Sequence, residues 1–184
     1  MKRTLIVIVL LLGGYLAAFG QEFERMVFTA EDGTELNYRL LRPAETAKAK
    51  KFPLIIFLHG LGERGSDNES QLKWGGNMFL NPVNMEKYPA YVLFPQCPET
   101  AFWAYKDIPA SFDALDAEEQ MPAPFKAVKE MIDTYLTYPD IDRSRVYIME
   151  FEPIQTIRTF WSRQAVKQYV VMQAQWIRYK FVSC

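Results

Sequence analysis

Residues 52–58 read Phe-Pro-Leu-Ile-Ile-Phe-Leu and stop abruptly at His59-Gly60. An apolar run this short, with no polar side, fits a strand whose sheet is covered by helices on both faces. No other segment restricts the fold as much. The run opens into Leu61-Gly-Glu-Arg-Gly65, where glycines permit sharp turns and let backbone N–H groups come close to another atom. In parallel sheets the functional groups gather beyond the carboxyl ends of strands, which is where this loop begins.

The neighbouring segments fit such a sheet. Residues 23–29 and 35–41 flank Glu31-Asp-Gly-Thr34, and Asp-Gly between two such runs predicts a β-hairpin. Residues 43–51 are a polar surface connection. A long loop is expected over 60–81, carrying a helix near 68–74. Residues 91–94 form a second short apolar run, closed by Pro95-Gln-Cys-Pro98. Phe125, Val128, Ile132, Tyr135 and Leu136 recur at helical spacing and predict a helix over 122–138. Arg145-Val-Tyr-Ile-Met149 is a third short buried strand. Strand, loop, strand, helix, strand is the order of an α/β domain with crossover connections.

The chain of 184 residues suits one domain with a substantial core. Its formal net charge of −1 gives no electrostatic footprint for nucleic acid. Residues 1–20 have the layout of a secretory signal peptide: Lys2 and Arg3, an apolar run over 5–12, and small residues before Gln21. Export is therefore expected, to a secreted or periplasmic location, with no stable membrane span once the signal is cleaved. Two cysteines are present, Cys97 and Cys184, and both are expected to be free because a terminal residue is seldom held in disulfide geometry.

After Met149 the chain changes character. All nine glycines lie at or before Gly76, no His follows His59, and no Asp follows Asp142. The expected division is a signal peptide over 1–20, a domain portion over 21–149, and an aberrant tail over 150–184. Within the tail, 160–181 is expected to be helical from its Gln, Ala, Met, Arg and Lys content. The sheet is expected to end at an uncovered edge.

Three blocks in order carry a resemblance: Phe52–Gly65, Tyr91-Val-Leu-Phe-Pro-Gln-Cys-Pro98 and Tyr138-Pro-Asp-Ile-Asp-Arg-Ser-Arg-Val-Tyr-Ile-Met149. Over about 21–149 the sequence resembles the α/β-hydrolase superfamily. More narrowly, it looks like its secreted bacterial phospholipase/carboxylesterase and polyhydroxybutyrate-depolymerase-like esterases. The resemblance implies an α/β fold, here incomplete, and hydrolysis of a small-molecule or polymer ester by serine acyl chemistry, with no metal or organic cofactor. It makes the backbone N–H groups of Leu61 and Gly62 the candidate oxyanion donors and gives His59 a structural place behind their loop.

The resemblance also implies Gly-x-Ser-x-Gly straight after the last block. The chain reads Glu150-Phe-Glu-Pro-Ile-Gln155 instead, with no later Asp or His, so no catalytic residue can be assigned. A frameshift near codon 150, a non-catalytic homologue and a rebuilt site remain open. Ser66, Ser70, Ser111 and Ser144 are expected to be surface or capping serines. Asp113, Asp116, Glu118 and Glu119 are expected to form a solvated acidic face, and Trp74 and Trp103 either line a pocket or pack in the core.

Overall fold

The computed structural model describes residues 21–44, 47, 49–103 and 122–150, and the backbone of 169–173. Strands β1 (Glu24–Thr29) and β2 (Glu35–Leu41) form the expected hairpin, pairing antiparallel with Thr29 opposite Glu35. Gly33 supplies the positive φ of +84° that the tight turn requires. Then come β3 (Phe52–Leu58), two single turns of 3-10 helix at Leu61–Glu63 and Ser70–Leu72, and short helices α1 (Gly76–Phe79) and α2 (Pro82–Lys87). The remaining elements are β4 (Tyr91–Pro95), α3 (Ala123–Tyr135), β5 (Ile141–Glu150) and β6 (Tyr169–Gln173).

Six strands make one sheet in the order β1-β2-β4-β3-β5-β6. β2 joins β4 antiparallel, whereas β3 pairs parallel with both β4 and β5, and β5 parallel with β6. The apolar run over 52–58 thus lies near the sheet centre. Its alternate residues serve two cores. Leu54, Ile56 and Leu58 join the cluster under α3, where Phe125, Val128, Met131, Ile132 and Tyr135 present the predicted helical stripe. Phe57 faces the other way and packs with Phe23, Val92, Phe94 and Met149.

Two expectations need correction. The helix placed near 68–74 is instead the 3-10 turn Ser70–Leu72, followed by α1 from Gly76. Asn68 sits at φ +51°, outside helical geometry, so no regular helix can pass through it. The tail helix expected over 160–181 is also overturned at Tyr169–Gln173, which runs as a strand with Val146 opposite Tyr169 and Glu150 opposite Gln173. Tyr and paired Val favour a pleated surface, and this local preference outweighs the helix-forming residues around it. β6 therefore pairs along β5 and is itself the outer strand of the sheet on that side.

Candidate functional site

β3 ends at the carboxyl edge of the sheet and delivers His59 into the interior, 1% exposed. The Cys97 backbone N–H donates to His59 Nε2 at 2.9 Å. A backbone amide can only donate, so Nε2 carries no proton and Nδ1 does. Nδ1–H in turn meets the Gly60 carbonyl at 2.6 Å. The Trp103 indole N–H donates to the His59 carbonyl at 3.2 Å, and its ring lies 5.3 Å from the imidazole. Burial, the largest cause, lowers the imidazole pKa, against the Gly60 hydrogen bond and the Glu63 charge, which raise it. The only histidine is thereby a neutral brace with both nitrogens occupied.

Leu61 and Gly62 stand at the start of the 3-10 turn, both exposed. Their N–H groups precede the turn's first internal hydrogen bond and are left for an outside acceptor. A Cβ built on Gly62 would meet nothing within 4 Å, so the space beside its Cα is open. Leu61 and Gly62 thus place two consecutive backbone N–H groups on the exposed side of the β3 exit.

The loop behind them is fixed by polar groups that the sequence did not single out. Gln96, buried after β4, donates from Nε2 to the Glu63 carbonyl at 3.2 Å and to Asp67 Oδ1 at 2.7 Å, and its Oε1 accepts from the Asn68 N–H at 2.7 Å. Asn68 carries on to the Gln71 amide at 2.6 Å and the Met26 carbonyl at 3.1 Å. Arg39, buried in β2, donates to the Asn68 carbonyl at 2.6 Å and pairs with Glu69, which also pairs with Arg25. Asp67 lies well below the usual carboxylate range, held there first by the Ser70 hydroxyl and then by the Ser70 N–H. Gly75 completes the anchoring. A Cβ there would stand 2.9 Å from the Phe57 ring.

Of the serines, Ser66 and Ser144 are exposed, and Ser70 and Ser144 serve turns through hydrogen bonds to Asp67 and Asp142. Trp103 belongs to the core, whereas Trp74 is 51% exposed with its indole N–H on Glu63 Oε1 at 2.7 Å. Cys97 is a buried free thiol, pushed up to about 12 by burial, and is no nucleophile. Ser111, Asp113, Asp116, Glu118, Glu119, Cys184, the signal segment and 151–168 lie outside the described residues. Among the described residues, no helix is long and apolar enough to cross a membrane.

The strand order, the antiparallel hairpin at one edge and the loop beyond β3 fit an incomplete α/β-hydrolase fold. Solved structures it resembles include esterases of that fold. A crystal structure of a thermostable esterase is 32% identical, with 71% of this chain and 34% of that one covered, at a TM-score of 0.60. Looser likenesses include a bacterial heroin esterase, 16% identical over 90% of this chain and 49% of that one, at 0.46. Another is the CE1 ferulic acid esterase of the anaerobic fungus Anaeromyces mucronatus, 16% identical over 84% and 59%, at 0.49. The chain thus spans about a third of the thermostable esterase's length. No protein-family profile and no curated protein matches it.

Proposed function

We propose that residues 21–150 are the sheet and oxyanion loop of an exported serine carboxylic-ester hydrolase, and that the chain as written does not turn over esters. The observation that carries the reading is the Leu61–Gly62 donor pair at the carboxyl end of β3, on a scaffold similar to a thermostable esterase. The inactivity follows from Glu150-Phe-Glu-Pro-Ile154, which offers no nucleophile where β5 ends. Purified chain is expected to leave a short-chain nitrophenyl ester unhydrolysed. Turnover that a serine-directed phosphonate abolishes would overturn this. Translating the coding DNA beyond codon 149 in the other two frames is the companion test, with Gly-x-Ser-x-Gly expected in one of them.

A second reading, a binding protein that keeps the scaffold without the chemistry, draws support from β6. A tail read out of frame has no reason to contribute a strand in register with β5. A cooperative melt that loses amplitude when residues 169–184 are deleted would favour it, as would an unaltered open frame on resequencing.

A further inference from the structure

The two peptide units that carry the donor N–H groups are each held at the opposite end. In a trans peptide the C=O and the next residue's N–H point in opposite directions, so fixing one fixes the other. The Gly60 carbonyl, which shares its unit with the Leu61 N–H, is held by His59 Nδ1. The Leu61 carbonyl, which shares its unit with the Gly62 N–H, accepts from Arg64 Nε at 3.1 Å. Arg64 is itself immobilised: Nη1 donates to the Glu99 and Ala101 carbonyls, both at 3.0 Å, and the guanidinium lies 4.5 Å from the centroid of the Phe102 ring.

We infer that Arg64 is a positioning residue, aiming the Gly62 N–H at the substrate's carbonyl oxygen through its hydrogen bond to the Leu61 carbonyl. This rests on the ester-hydrolase reading. A carbonyl oxygen has two lone pairs, and the guanidinium Nε–H occupies one of those of Leu61. Hydrogen bonding at the oxygen also polarises the amide and strengthens its N–H as a donor. Arg64 thus acts on both the direction and the strength of the Gly62 donor, and it ties both to the segment after β4.

The test is amide NMR of the full chain with sodium butyrate as probe, its carboxylate standing for the oxyanion, in Arg64→Ala and Arg64→Lys. Lysine keeps a cation for Phe102 and the Glu99 and Ala101 carbonyls but has no Nε–H for Leu61. Both variants are expected to move the Gly62 resonance, leave Leu61 nearly in place, and weaken butyrate binding roughly tenfold, as one ordinary hydrogen bond implies. If Arg64→Ala does not fold, Arg64→Lys decides alone. An unmoved Gly62 with unchanged affinity in a folded variant overturns the assignment and leaves the hydrolase reading standing. Conversely, wild-type Leu61 and Gly62 amides blind to butyrate, with Gly62 still displaced in the variants, sustain the positioning and sink the hydrolase reading.

Discussion

The exits of β3 and β5 lie side by side in the sheet, with Leu58 opposite Glu150, and they are built in opposite ways. Beyond Leu58 the chain meets glycines at 60, 62 and 65, a braced imidazole, and carbonyls held by His59, Arg64 and Gln96. At the end of β5 stands Glu150, 1% exposed, where the resembled fold would need a tiny residue for a tight turn. One exit has the carbonyls of its loop held by side chains. The other presents a buried carboxylate and then Phe151-Glu-Pro153. The difference teaches that the β3 loop is held without help from the β5 exit, because its hydrogen bonds close on β1, β2, β4 and the loop itself.

The sharpest way to break that contrast is to remove the floor under the β3 loop. Phe57 is 2% exposed and stacks on Phe94 with ring centroids 4.6 Å apart, directly beneath Gly75. Phe57→Ala should destabilise the chain by about 3–5 kcal/mol, read as a lower urea midpoint with an unchanged slope. A loss below about 1 kcal/mol would show that the loop does not depend on the apolar layer. Gln96→Leu attacks the polar layer instead. It keeps the volume but strands the buried Asn68 N–H and frees the Glu63 carbonyl, for an expected cost of about 1–3 kcal/mol. Amide exchange should quicken across 63–71 while β5 stays protected. Equal loosening at both exits would mean that they are one unit.

Much of this scaffold was legible in the sequence. The Asp32-Gly33 turn, the three apolar runs and the stripe from Phe125 to Tyr135 each follow from a local rule, and the corresponding elements form where those rules place them. The Gln96–Asn68–Arg39 network was not legible. Its members are 28 and 29 residues apart, and polar residues give no periodic signal of whether they meet in the interior. β6 was missed for a different reason: Tyr169-Val-Val171 is a short strand signal embedded in helix formers, and its pairing partner lies outside its own sequence window. The turn at Leu61–Glu63 lies where glycines follow a buried strand, which is a local feature. Arg64, which braces it, looked like any surface charge.

The pH response offers a gentler probe of the same contrast, because only the β3 exit holds a histidine. Burial depresses the His59 pKa, so as pH falls through about 6.5 the unfolded chain takes up a proton that the folded chain refuses. Stability should be fully present above that pH and decline as pH falls toward the lower folded value. The nearby Glu63 carboxylate limits the effect and the Arg64 guanidinium adds to it. Urea midpoints measured from neutral pH down to about pH 5 should show the decline, and His59→Gln should flatten it. An unchanged slope in that variant would locate the titration elsewhere.

Leu61 gives the smallest expected effect and the most specific one. Leu61 is 57% exposed while its N–H belongs to the proposed donor pair, so the proposal gives side chain and backbone separate parts at one residue. Leu61→Ala keeps the peptide, the turn and the His59 brace, and should change stability by no more than about 0.5 kcal/mol. Butyrate affinity at the Leu61 and Gly62 amides should hardly move, since neither donor depends on the isobutyl group. A loss of affinity comparable to that of Arg64→Ala would mean that the leucine side chain itself shapes the ligand's seat. The β3 exit would then recognise its ligand through an apolar contact as well as through its backbone.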